Sequence, residues 1–265
     1  MKALILAAGK GTRLRPITDY IPKPMVPLHG KPLLEWVLIH LISYGIREYI
    51  IAVSYLAEQI ENYFGAGARW GINIQYSYGP APAGKAGEVW RAKDFLLNEE
   101  QFLVVPGDTI CHLDYGELIQ FHLQHGGMVS VALSTNYRLE VGLAQVDSNN
   151  RIVKFFEKTN LDRPISTGTY VLNKGISPYI ERFNPAGKEV DLPGDVFPVL
   201  LKEGIAIHGF VRDYEWWDIG KINDFEDLAH KQFKEAAPIL YGNNNDIKST
   251  IPPLIAESRS GYLRQ

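Results

Sequence analysis

Apolar and polar positions along the chain sort into short runs of two kinds. Ala3–Ala8 is a continuous apolar run, the pattern of a strand buried on both faces. After a long loop, apolar residues at Leu33, Leu34, Val37, Leu41 and Tyr44 recur at helical spacing. That helix is expected to begin at Pro32, a favoured first helical position, and to end at Gly45. Glu48–Ser54 reads as a β-rich run, Ala57–Phe64 as a helix stopped by Gly65, and Ile72–Tyr78 as an alternating strand. Gly87–Leu97 predicts a helix and Phe102–Val105 a buried strand that ends in Pro106-Gly107-Asp108. Asp114 and Glu117 have the spacing of a capping box opening a helix through Gln124. Four strand–helix units in succession imply a mostly parallel sheet with right-handed crossovers.

The second half changes character. Met128–Thr135, Leu143–Val146, Arg151–Phe156, Thr167–Asn173 and Ala206–Val211 read as strands, with a polar turn Asp147-Ser148-Asn149-Asn150 between the second and third. Helices are expected over Val196–Lys202 and from about Asn223 to Lys234. The pattern predicts an α/β fold: a Rossmann-like, mostly parallel mixed sheet with helices on both faces, extended by a mixed αβ lobe that covers its open mouth. A catalytic domain would span 1–236, with halves at about 1–126 and 127–236. Residues 237–265 turn polar and proline-containing and read as a tail of weak structure.

Composition narrows the function without deciding it. The 265 residues are 46% hydrophobic and carry a formal net charge of −3, which argues against a nucleic-acid binder with a broad basic face. The single cysteine, Cys111, allows no intramolecular disulfide and fits a reducing compartment. Met1-Lys2 leads straight into a core strand, so no signal peptide is expected. No apolar stretch reaches the roughly 18 residues of a membrane span. The expectation is a cytoplasmic protein without membrane partner.

The richest chemistry lies in the first thirty residues. The strand Ala3–Ala8 empties into Gly9-Lys10-Gly11-Thr12-Arg13, and Lys23 follows between Pro22 and Pro24. A strand ending in small residues and glycine lets backbone N–H groups meet phosphate oxygens, and Arg13 and Lys23 add two positive charges. A dinucleotide fingerprint would need a third glycine where Leu14 stands. A near-match to the Walker loop occurs at Gly79-Pro80-Ala81-Pro82-Ala83-Gly84-Lys85-Ala86. There Ala86 replaces the metal-binding hydroxyl and two prolines delete N–H donors, so it reads as a shaped loop instead.

Other charged residues fall at strand ends, where ligands of open parallel sheets bind. Asp108 follows the strand at Phe102, Glu157-Lys158 follows Arg151–Phe156, and Asp218 follows Tyr214-Glu215-Trp216-Trp217. Taken singly, Asp108 is equally a turn residue, Asp218 a helix N-terminal charge, and Lys158 a solvated lysine. In order, however, Gly9-Lys10-Gly11-Thr12-Arg13-Leu14-Arg15-Pro16, Pro22-Lys23-Pro24-Met25, Gly107-Asp108, Phe156-Glu157-Lys158 and Trp217-Asp218-Ile219-Gly220 resemble the sugar-1-phosphate nucleotidyltransferases. These are also known as nucleoside-diphosphate-sugar pyrophosphorylases. The resemblance runs from Gly9 to Gly220.

What the resemblance implies can be stated residue by residue. A sugar 1-phosphate, glucose or mannose 1-phosphate above all, attacks the α-phosphorus of a nucleoside triphosphate and expels pyrophosphate. Asp108 and Asp218 would hold Mg2+, Arg13 would draw charge from the β- and γ-phosphates, and Lys23 and Lys158 would hold the sugar phosphate. Glu157, with backbone from Gly142, would bind sugar hydroxyls. The backbone of Leu6, Ala8, Gly9, Gly11 and Thr12, with Gly84 and Gly87, would cradle the nucleotide.

Several positions depart from the family pattern. Thr159 follows Glu-Lys where proline is usual, and Ser166 stands where an amide contacts the sugar in Ser166-Thr167-Gly168-Thr169-Tyr170. Lys85 and Lys221 also differ and read as surface charges or outer phosphate contacts. Many relatives add a C-terminal left-handed β-helix; no hexapeptide repeat signals one here, and a homo-oligomer through the catalytic domain stays open. A non-catalytic relative that binds nucleotide sugars to regulate a partner is the alternative reading. A glycosyltransferase would need an Asp-x-Asp motif, which Asp108-Thr109-Ile110 does not supply. His122 and His125, three apart on an expected surface helix, do not make a zinc site. Cys111 reads as a buried small residue, and Trp216 and Trp217 as packing.

Overall fold

A computed structural model of the chain describes residues 1–136, 143–156 and 163–219. The first strand, β1 (Ala3–Leu6), is followed by three single helical turns and a small hairpin of β2 (Pro27–Leu28) and β3 (Lys31–Pro32). Then come α1 (Leu33–Ser43), β4 (Glu48–Val53), α2 (Ala57–Phe64), β5 (Asn73–Tyr78), α3 (Gly84–Arg91), α4 (Lys93–Leu96), β6 (Gln101–Pro106), β7 (Thr109–Cys111) and α5 (Tyr115–His125). The second half holds β8 (Val129–Ser134), β9 (Leu143–Val146), β10 (Ile152–Phe156), β11 (Ile165–Asn173), α6 (Ser177–Glu181), α7 (Phe197–Lys202), β12 (Ile207–Arg212) and β13 (Trp216–Asp218).

Seven strands form one sheet in the order β12-β8-β11-β6-β1-β4-β5. β6, β1, β4 and β5 are parallel neighbours, and β8 pairs in parallel with β12. Only β11 runs against its neighbours β6 and β8. The second half therefore continues the first half's sheet, as its hydrophobic pattern predicts.

The apolar runs at the sheet centre are explained by helices on both faces. Ala3, Ile5, Ile51, Leu103 and Val105 point to a core shared with Leu34, Leu38 and Leu41 of α1 and Leu118 of α5. Leu4, Ile50, Ala52, Phe102 and Val104 point to the other, packed on Ala86 and Val89 of α3, Ile180 of α6 and Leu200 of α7. A strand alternates its side chains between faces, so two cores demand apolar residues at every position.

Local differences from the sequence reading have physical causes. Pro32 ends the small hairpin and precedes the first helical residue, Leu33. The helix expected over Gly87–Leu97 begins at Gly84 and breaks at Ala92, where Phe95 N–H turns back to the Ala92 carbonyl at 3.0 Å. Only half of the capping box forms: Asp114 accepts from Glu117 N–H at 2.8 Å, while the Glu117 carboxylate pairs with Arg212 of β12 at 3.1 Å. His122 is not a surface residue; it is buried, and its Nδ1 lies 2.9 Å from Ser130 Oγ. Cys111 is buried beside the Tyr115 hydroxyl, and Trp216 and Trp217 pack at the edge of the first core. The helix expected near Asn223 and the tail lie outside the described residues.

Candidate active site

The carboxyl ends of β6, β1, β4 and β5 share one edge of the sheet, and the site is built there. A cleft of about 370 Å3 opens at this edge. It is lined by Leu6, Ala8, Gly9, Gly11, Thr12, Arg13, Lys23, Gly84 and Asp108, all expected from the sequence. No backbone carbonyl among the described residues takes the N–H groups of Ala8, Gly9, Lys10 or Gly11. These donors are available to an anionic ligand.

The loop holds this shape because of Gly11. Its φ is +63°, and a Cβ there would stand 3.0 Å from both Lys23 Cβ and Thr18 Cγ2. Thr18 Oγ1 donates to the Gly11 carbonyl at 2.8 Å and fixes the turn. The close approach delivers Lys23 to the cleft floor. Its helical turn, Lys23–Met25, is framed by Pro22 and Pro24, whose rings restrict the backbone on each side.

Lys23 is the centre of the charge arrangement. Its side chain is only 8% exposed, and Nζ lies 2.6 Å from Asp108 Oδ2 and 3.0 Å from Asp218 Oδ1. Arg13 Nη2 stands 3.7 Å from Asp218 Oδ2. Asp108 reaches this point from the turn after β6. Asp218 reaches it because β13 pairs antiparallel with β7, setting Asp218 opposite Thr109. Burial pulls the Lys23 pKa down, but the two carboxylates outweigh burial and hold it above the ordinary lysine value.

Two carboxylates converging on one ammonium show that the spot favours a cation. Among the described residues there is no cluster of three or more His, Cys, Asp or Glu that could hold a metal by itself. A hard divalent ion here would draw its remaining oxygens from ligand phosphates and water, which suits a metal that keeps several such ligands.

Not every expected residue reaches the cleft. The N–H groups of Ala86 and Gly87, the third and fourth residues of α3, both go to the Val190 carbonyl, at 3.0 and 3.1 Å, so these two donors are spent. Gly84, at φ +75°, lets Val190 pack this tightly, since a Cβ would collide with its carbonyl oxygen. Ser166 is exposed beside the irregularity in β11, away from the cleft lining. Gly142, Glu157, Lys158 and Lys221 lie outside the described residues. Conversely, the cleft includes Ala7, Pro24, Pro82, Lys85, Glu88 and Pro106. Of these, Lys85 pairs with Asp191 at 3.4 Å. Glu88 had no signal in the sequence, because its spacing fits an ordinary helix face.

A mostly parallel sheet thus carries at one edge an N–H-rich glycine loop and cations facing paired carboxylates. The chain belongs to the nucleotidyl transferase family, whose model matches residues 2–235. It is 37% identical over 243 residues to a UTP–glucose-1-phosphate uridylyltransferase of Synechocystis, a match covering 85% of this chain and 61% of that protein. It is 35% identical over 228 residues to a mannose-1-phosphate guanylyltransferase of Mycobacterium tuberculosis, covering 84% of this chain and 62% of that protein. The chain thus spans about three fifths of the length of these curated relatives. The crystal structure of HddC from Yersinia pseudotuberculosis complexed with GMP-PN matches with a TM-score of 0.66 and 26% identity, over 87% of this chain and 98% of that one.

Proposed function

We propose that this chain is a sugar-1-phosphate nucleotidyltransferase that joins a nucleoside triphosphate to a sugar 1-phosphate and releases pyrophosphate. The observation that carries the reading is Lys23 held between Asp108 and Asp218 on the floor of a cleft walled by the Gly9–Arg13 loop. The names of the two sequence relatives support glucose 1-phosphate or mannose 1-phosphate as the sugar substrate. The comparisons lend no support to a non-catalytic, regulatory relative.

In the reaction, an oxygen of the sugar phosphate forms a bond to the α-phosphorus. The bond from that phosphorus to the α–β bridging oxygen breaks, and its electron pair leaves with pyrophosphate. Both reactants are anions, so the protein's task is positioning and charge neutralisation. The free N–H groups of the Gly9–Gly11 loop and the Arg13 guanidinium receive the β- and γ-phosphates and take up the charge that develops on the leaving group. Lys23 and Lys158 hold the nucleophilic phosphate against its repulsion by the triphosphate. Glu157 and Gly142, with Ser166 beyond the described cleft lining, orient the sugar. Asp108 and Asp218 would hold Mg2+, which when bound neutralises charge at the α-phosphate. We place the protein in the cytoplasm, consistent with its one buried thiol and with no described helix long and apolar enough to cross a membrane.

The test is pyrophosphate release from a panel of five nucleoside triphosphates and several sugar 1-phosphates with Mg2+. Turnover with at least one pair is the expected result. A folded protein inactive across the panel overturns the reading.

A further inference from the structure

Glu88 lies outside every motif that carries the resemblance, yet it borders the cleft with a side chain only 5% exposed. Its Oε1 accepts from Ala83 N–H at 2.9 Å and from Arg91 Nη1 at 3.2 Å. Arg91 Nη1 also donates to the Ala81 carbonyl at 2.6 Å. The pair therefore grips the Gly79–Ala83 loop at two points, in a segment where Pro80 and Pro82 remove N–H donors of its own. A Cβ at position 79 would collide with the Arg91 guanidinium, so Gly79 leaves the space the grip requires.

The arrangement is costly for a merely structural one. Glu88 Oε2 is buried and has no hydrogen-bond partner among the described residues. Burial pushes its carboxyl pKa up, against the pull of Ala83 N–H and Arg91. An apolar side chain of similar size would remove the unused buried acceptor but leave the Ala83 N–H and Arg91 without theirs, so the carboxylate serves the grip on the loop.

The sheet order says which part of a ligand this loop meets. Asp108 leaves β6 and the gripped loop leaves β5, with β1 and β4 between them. Three strand spacings separate the two by roughly 14 Å. If the phosphates lie at the β6 and β1 ends as proposed, the β5 loop is the cleft wall left for the nucleoside.

We infer that Glu88, acting with Arg91, is a positioning residue that fixes the Gly79–Ala83 loop against the nucleoside of the bound triphosphate. The inference rests on the nucleotidyltransferase reading and deepens it. Glu88→Met removes the acceptor and keeps the volume; Glu88→Gln keeps an oxygen for Ala83 N–H. The Met variant should raise KM for the triphosphate about tenfold, with kcat and the sugar-phosphate KM within about twofold of wild type. The Gln variant should stay within about threefold of wild type.

An unchanged triphosphate KM in a folded Met variant overturns the inference, as does a loss shared equally by both substrates. If the Met variant does not fold, Arg91→Met carries the test, with an expected rise of about threefold in the triphosphate KM alone; no rise overturns the inference. Calorimetric titration of each variant with UTP and GTP keeps the two ideas separable. A wild type that binds triphosphate but turns over no pair sinks the catalytic reading. Weaker binding to the Met variant would still support the grip, and equal binding would refute it.

Discussion

Two glycine-rich loops leave the same edge of the sheet, one after β1 and one after β5, and they use similar residues in opposite ways. Among the described residues no backbone carbonyl takes the N–H groups of Ala8 to Gly11 in the β1 loop, and this loop draws Arg13 and Lys23 toward Asp108 and Asp218. The β5 loop runs into α3, where Val190 takes the N–H groups of Ala86 and Gly87 and Glu88 with Arg91 pins the segment before the helix. Glycine spacing alone would make both of them phosphate loops. Both border the cleft; what separates them is how their donors are used, since Ala83, Ala86 and Gly87 give their N–H groups to Glu88 and Val190. A helix N-terminus binds an anion only while its donors are unspent.

The comparison can be broken at its strongest point first. If the β1 side is the reacting end, Asp108→Asn and Asp218→Asn should each lower kcat by about 100- to 1,000-fold in a protein that still melts as a folded chain. Near-normal pyrophosphate release from either variant would remove that carboxylate from the metal site.

The lysines of the two loops sharpen the contrast. Lys23→Met should cost about 100-fold in kcat/KM, because a buried charge aimed at a phosphate is lost and two carboxylates are left facing each other. Lys85, whose partner Asp191 is well exposed, should cost only about threefold on the same change. Equal losses would show that the β5 loop also serves the phosphates.

Stability should discriminate the loops in the other direction. Gly84→Ala adds a Cβ that meets the Val190 carbonyl at a left-handed φ, and should destabilise the fold by about 2–3 kcal/mol in denaturant titration. Gly11→Ala meets the side chains of Lys23 and Thr18, which can yield, so it should cost less stability and more activity. A reversed ranking would contradict the division of labour.

The smallest effect is in pH. Because its partners raise the Lys23 pKa in the fold, the stability from its ammonium is fully present below the unfolded lysine value of about 10.4. It is lost as pH rises through the higher folded value. The melting difference between wild type and Lys23→Met should therefore stay level up to about pH 10 and shrink only above it. Shrinkage already at neutral pH would mean that the carboxylates do not hold the proton.

Legibility differed along the chain for the same reason. The parallel strands β1, β4 and β6 were readable because burial on both faces leaves continuous apolar runs, and the edge strand β5 because its burial alternates. Leu143–Val146 matched its strand residue for residue, helped by the polar turn that follows it. His122 was misplaced because one buried polar side chain does not alter a helical period, and its partner Ser130 lies on another element. The Glu117–Arg212 pair was equally unreadable, since 95 residues separate its members.

The α/β class, the strand-end loop from Gly9 to Arg13 and the candidate charged residues are legible in the chain alone. Each depends on local pattern: apolar runs, glycine freedom, and carboxylates or cations just past a strand. Which of those groups meet depends on long-range pairing. Lys23, Asp108 and Asp218 converge because β7 pairs with β13 across more than a hundred residues. Gly87 was drawn away from the cleft because the Val190 carbonyl took its N–H. Hydrogen-bond donors and charges are fixed in the chain, but the partners that spend or spare them are chosen by packing.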